Sequence, residues 1–118
     1  MLLLAPLVAH AAGLGRITVH SALGQPLRAE IEIVSLQPGE EDSLTVRLAT
    51  AEAFRQAGIE ISPALIGLRL AVDTKGPRPV IRVGTSQPVN EPFLDMLVEL
   101  QWATGRLVRE YTFLLDPP

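Results

Sequence analysis

The stretch "LRAEIEIV" alternates without a fault: Leu27, Ala29, Ile31 and Ile33 are apolar, while Arg28, Glu30 and Glu32 are charged. Successive strand side chains point to opposite faces, so an extended strand sorts these residues into one buried and one wet face. A helix, turning 3.6 residues at a time, scatters the same charges around its circumference. The same period returns in "GRITVHS", with Ile17 and Val19 inward and Arg16, Thr18 and His20 outward. It returns again in "SLTVRLA", where Leu44, Val46 and Leu48 face in and Ser43, Thr45 and Arg47 face out. "GLRLAV" and "PVIRVG" follow, then two long strands over Phe93–Trp102 and Arg106–Leu115. Turn chemistry separates them: Gly24-Gln25-Pro26, "QPGEED" and "DTKGPRP". Ala103-Thr104-Gly105 predicts a three-residue hairpin with glycine in the left-handed position. Seven short strands of this kind predict an all-β fold, an immunoglobulin-like antiparallel sandwich.

One short helix interrupts the strands. Thr50 is an N-cap residue, Glu52 puts a carboxylate in the first turn, and Ala51, Phe54 and Ala57 have helical spacing, with Gly58 suited to the left-handed position that follows. Two turns cannot stand alone, so Phe54 is expected to plug one end of the β core. With 118 residues the chain is read as one folded domain over 13–118. The opening "MLLLAPLVAHAA" is read separately, as a partial signal peptide over 1–12. Ala9-His10-Ala11 has the small-x-small form of a cleavage site, and His10-Ala11-Ala12 is a neighbouring option. The apolar run is too short to span a bilayer.

Composition excludes several chemistries. There is no cysteine, hence no disulfide, thiol nucleophile or zinc–thiolate site. The net charge is −3, and the ten basic residues, nine of them arginine, form no run, which argues against nucleic acid. His20 and Ser21 are adjacent and would point to opposite faces of a strand, so they do not make a hydrolytic pair. Glu40, Glu41 and Asp42 lack the alternating ligand spacing of a calcium loop. Asp95 and Glu99 lie four apart on one face of a strand that also carries Phe93, Leu97 and Gln101. They are expected to be solvated and offset across the hairpin by Arg106 and Arg109, rather than to work as paired acids. No catalytic, cofactor-binding or metal-ligating residue is assigned, and no small-molecule substrate. Five aromatic residues in all are few for a glycan platform.

Three segments carry a family resemblance: "GRITVHSALGQPLRAEIEIVS", "VRLATAEAFRQAGI" and "RPVIRVGTSQPVNEPFLDMLVELQWATGRLVREYTFLLDPP". Together they resemble the N-terminal periplasmic domain of FimV-type proteins. The resemblance implies a non-enzymatic, exported assembly module. Its partners would be proteins of type IV pilus assembly, twitching motility and cell-pole organisation. Longer relatives carry a peptidoglycan-binding LysM module and a membrane anchor, and neither is found in these residues. Loops rich in proline, Asn and charge are usual binding places, which singles out "QPVNEPF" and the "WATGR" turn, with Asn90, Glu91 and Arg106 as the candidate interaction residues. Two other readings stay open. One is a small periplasmic enzyme or glycan-binding domain. The other is a pilin-chaperone-like strand acceptor, with "GRITVHS" or "GLRLAV" as the receiving edge.

Overall fold

Seven strands pair into two antiparallel sheets in the computed structural model, which describes residues 12–118. In chain order they are β1 (Gly13–Val19), β2 (Pro26–Val34), β3 (Thr45–Leu48), β4 (Arg69–Asp73), β5 (Val80–Pro88), β6 (Phe93–Trp102) and β7 (Gly105–Leu114). The first sheet has the order β1-β2-β5-β4, and the second β3-β6-β7. The chain changes sheet between β2 and β3, between β3 and β4, and between β5 and β6. The expected two-sheet β-sandwich is the observed architecture. The leader assigned to residues 1–12 lies outside the described residues, except for Ala12, which is buried in the core.

Alternation decides which faces meet. β2 contributes Leu27, Ala29, Ile31 and Ile33 to the core, and β5 contributes Ile81 and Val83. From the other sheet, β6 sends in Leu94, Met96, Val98 and Leu100, each at most 1% exposed. β7 backs them with Tyr111 opposite Met96 and Phe113 opposite Leu94. A one-residue slip of β6 against β7 would turn this whole apolar set outward, so the register is fixed by burial.

The helix α1 (Ala51–Gln56) closes one side of the core. Thr50 Oγ1 accepts from the Ala53 amide at 3.2 Å, and Gly58, at φ 73°, takes the left-handed position after Ala57. Phe54 is 1% exposed and fills the space between the sheets, as its spacing implies. Full burial of a side chain of this size stabilises the fold by about 1.5–3 kcal/mol.

The β6–β7 turn differs from expectation. Trp102 pairs directly with Gly105, so the turn has two residues, Ala103 and Thr104, and Gly105 does not adopt positive φ. Glycine is needed there for another reason: a Cβ at Gly105 would lie 2.9 Å from the Trp102 ring. The indole packs across the glycine and occupies the space a side chain would take.

A latch joins the two sheets at the β1–β7 side. β1 bulges between Leu14 and Ile17, where Gly15 and Arg16 together oppose Glu32. The Tyr111 hydroxyl donates to the Gly15 carbonyl at 2.7 Å, and the Arg109 guanidinium donates to the Leu14 and Gly15 carbonyls. Arg109 also lies over the Tyr111 ring, 4.9 Å from its centroid. Burial pushes the Tyr111 phenol above its ordinary pKa. The expectation that Arg109 offsets the carboxylates of β6 is therefore corrected. It sits opposite Val98, on the core side, and serves the latch.

Candidate interaction site

The three carboxylates of "NEPFLDMLVEL" have three different fates. Glu99 is 4% exposed, against the expectation of a solvated position. It occupies the outer face of β6, the middle strand of its sheet, so neighbours on both sides cover it. Arg47, directly opposite on β3, donates from Nε to Glu99 Oε2, and Arg106 on β7 approaches Oε1 at 3.4 Å. A buried carboxylate needs such partners, because desolvation without them is costly. Arg47 was missed because the β3–β6 register is non-local, although its outward position was legible.

Asp95 is half-buried farther along the same face and accepts from the Thr112 hydroxyl at 3.1 Å. Its neighbour Glu110 is held above the ordinary carboxylate range, chiefly by hydrogen bonding to Asp95 and then by burial. Two acids therefore share one small region. Glu91 is exposed on the β5–β6 loop, and its carboxylate accepts from the Ser62 hydroxyl at 2.8 Å.

The β5–β6 loop is a braced structure. Val89 is buried and exchanges backbone bonds with the β1–β2 turn, donating to Gln25 at 3.0 Å and accepting from Gly24 at 2.8 Å. Leu115 donates to the Pro92 carbonyl at 2.8 Å. Asn90 and Glu91 are carried outward on this frame. The hydroxyl of Ser62 also accepts from the Ala64 amide, capping a short 3-10 turn at Pro63–Leu65. The β1–β2 turn, the β5–β6 loop, the segment around Ser62 and the residues after β7 thus gather at one end of the sandwich.

Arg106 lies at the other end. Ten residues of β6, roughly 30 Å at strand rise, separate the "WATGR" turn from Glu91. The structure brings Asn90 and Glu91 together and leaves Arg106 apart, clamped on Glu99. Between the 58–63 segment and the start of β6 runs a groove of about 460 Å³. Glu60, Glu91 and Asp95 line it, with Ile59, Ile61 and Phe93 supplying apolar surface. Phe93 is 54% exposed, and Leu114, its direct partner on β7, is 66% exposed. The period-two pattern had placed Phe93 on the outer face; Ile61 and the groove itself carry no local signal.

The outer face of the first sheet is charged and internally paired. Arg82 on β5 bonds Asp73 on β4 at 2.6 Å and Glu30 on β2 at 3.3 Å, and His20 lies 3.9 Å from Glu30. The Lys75 amide and then Arg82 hold the Asp73 carboxyl below its usual range. Arg82 is thus committed to carboxylates, and it does not join Arg106 or Arg109 in an anion site. Glu40, Glu41 and Asp42 form a 3-10 turn, where Glu40 accepts from the Gln37 amide at 2.8 Å. Among the described residues no group of three His, Cys, Asp or Glu side chains is placed to hold a metal, and no helix is long and apolar enough to cross a membrane.

Fold and surface together define an immunoglobulin-like β-sandwich domain whose candidate sites are loops, a groove and strand edges. The chain belongs to the FimV N-terminal domain family: the model described as "FimV N-terminal domain Ig-like domain" matches residues 12–118. It is similar to the motility hub protein FimV of Pseudomonas aeruginosa, in strains PAO1 and UCBPP-PA14. Identity to each is 46% over 112 residues, covering 94% of this chain and 12% of the relative. The chain thus spans about an eighth of the length of these curated relatives. No solved structure matches it.

Proposed function

We propose that this chain is the periplasmic, non-enzymatic interaction module of a FimV-like protein, supporting type IV pilus assembly, twitching motility and cell-pole organisation. The observation that carries the reading is the 46% identity, over nearly the whole chain, to a protein named as a motility hub. The partners are proteins of the pilus-assembly or polar machinery, met through surface contacts and without a cofactor. Peptidoglycan contact, on this reading, belongs to a LysM module of longer relatives. Asn90 and Glu91 are the proposed contact residues at one end of the sandwich, with Arg106 a separate surface at the other. The leader serves export, and burial of Ala12 favours cleavage after Ala11, so that residues 1–11 leave and Ala12 stays with the domain.

The test is competition in a twitching bacterium that carries a FimV of its own. The chain is exported in excess, with a leader supplied. A module that binds a partner should occupy that partner unproductively and shrink the twitching zone as its level rises. Unchanged twitching at a large excess of folded, exported chain would contradict the proposal.

A further inference from the structure

β3 ends early. Its last ladder pair is Leu48 with Val98, and the Ala49 amide then donates to the Leu97 carbonyl at 2.9 Å before Thr50 turns the chain into α1. β6 continues beyond that point to Phe93, and among the described residues no strand lies beside it on this side. Backbone groups of alternate residues point to alternate edges of a strand. The Leu97 carbonyl faces the β3 side, so the N–H and C=O groups of Asp95 and Phe93 face it too. The Pro92 carbonyl, by the same count, faces β7 and accepts there from Leu115. Among the described residues, no hydrogen bond reaches the backbone groups of Phe93 or Asp95 on the β3 side. Phe93 and Asp95 both line the groove walled by Gly58–Pro63.

We propose that this groove receives an extended, basic segment of a protein partner, which adds as a short strand to the open edge of β6 at Phe93–Asp95. The proposal rests on the interaction-module reading and names its site and the chemistry of its partner. Unpaired backbone donors and acceptors in a row are what an incoming strand satisfies. Charge chooses the partner: Glu60, Glu91 and Asp95 line the groove, and no Lys or Arg does. Phe93 and Asp95 share the outer face two residues apart, so the incoming strand should carry an apolar residue and a Lys or Arg at the same spacing. Ile61 offers a second apolar contact across the groove. The start of β1, by contrast, has its Leu14 and Gly15 carbonyls engaged by Arg109 and Tyr111.

The probe is a blocked peptide of alternating lysine and valine, with a glutamate–valine peptide as control, titrated into the isotope-labelled chain. The lysine–valine peptide should slow amide exchange at Phe93 and Asp95, and the control should not. Asp95→Lys and Phe93→Ser should each weaken binding about fivefold to tenfold, the scale of one or two cross-strand pairs. Asp95→Pro removes the open-edge donor together with the carboxylate, at an edge position where proline is tolerated, and should abolish the protection at Phe93. Should that variant fail to fold, the other two carry the test. Equal binding of the glutamate peptide, or protection at β1 or β4 in place of β6, would overturn the proposal. So would protection at Phe93 that grows with chain concentration without peptide, because the occupant would then be a second copy. In the twitching competition, Asp95→Lys and Phe93→Ser that compete as well as the unaltered chain sink the groove and leave the module reading standing. An unaltered chain that fails to compete sinks the module reading itself.

Discussion

Glu99 and Arg47 are partners, yet replacing one should cost much more than replacing the other. The Glu99 side chain is 5% exposed, whereas those of Arg47 and Arg106 are 57% and 66% exposed. Arg47→Ala strips the nearer donor from a carboxylate that has little access to water. A hydrogen bond to a charged group contributes about 1.5–3 kcal/mol, and the solvated arginine places this one near the low end, about 1.5–2 kcal/mol. Glu99→Leu removes the buried charge itself. Both arginines then return to solvent, and leucine fills a site already flanked by apolar groups, so stability should stay within about 1 kcal/mol of the parent. For a domain of this size, each kcal/mol moves Tm by about 4–8 °C. The assay is urea and thermal unfolding at neutral pH, followed by circular dichroism. The double variant should recover most of what Arg47→Ala loses, because no carboxylate remains to be left unpaired. A Glu99→Leu variant less stable than Arg47→Ala, or a double variant whose losses simply add, would refute this reasoning.

Three further outcomes follow from the geometry. Phe54→Ala empties the space between the sheets and should cost about 3–5 kcal/mol in urea melts, whereas Thr50→Ala, losing one cap, should cost about 1 kcal/mol. Glu110 has a folded pKa above its ordinary value of 4.5. Its contribution therefore favours folding below that value and is lost as pH rises through the folded pKa. Glu110→Gln should raise Tm at pH 7, and the gain should vanish in melts run below about pH 4, where the carboxyl is already neutral. Mass spectrometry of the exported protein should give Ala12 as the first residue; a mature chain beginning after Ala12 would contradict the cleavage proposed.

The strands were legible because period two is a local property. Leu27 to Ile33 show their buried face without reference to anything else in the chain, and so do Ile81 and Val83. Thr50, Phe54 and Gly58 likewise announced the helix by spacing and cap chemistry alone. What escaped depends on which strands lie side by side. Alternation put Glu99 on the outer face, and an outer face on a central strand is covered by its neighbours when they are long-chained arginines. Nothing in "SLTVRLA" says that Arg47 will stand opposite Glu99. Arg109 was misplaced for a different reason: three residues from Arg106, it lies on the opposite face of β7, so alternation alone already separates it from the acids, and it meets β1 instead. Of the candidate interaction residues, Asn90 and Glu91 share a projecting loop, whereas Arg106 sits a strand length away, and the groove depends on β3 being shorter than β6. Gly105 shows a subtler failure, because its turn chemistry suggested a backbone role and the real constraint is the neighbouring Trp102 ring.

The most direct test of the interaction-module account is a replacement. In Pseudomonas aeruginosa, the matching N-terminal segment of FimV is exchanged for residues 12–118 of this chain, and the twitching zone is measured beside strains with intact FimV and with that segment deleted. The account predicts substantial restoration by the chimera. A chimera that is exported and accumulates normally but twitches no farther than the deletion strain would contradict it.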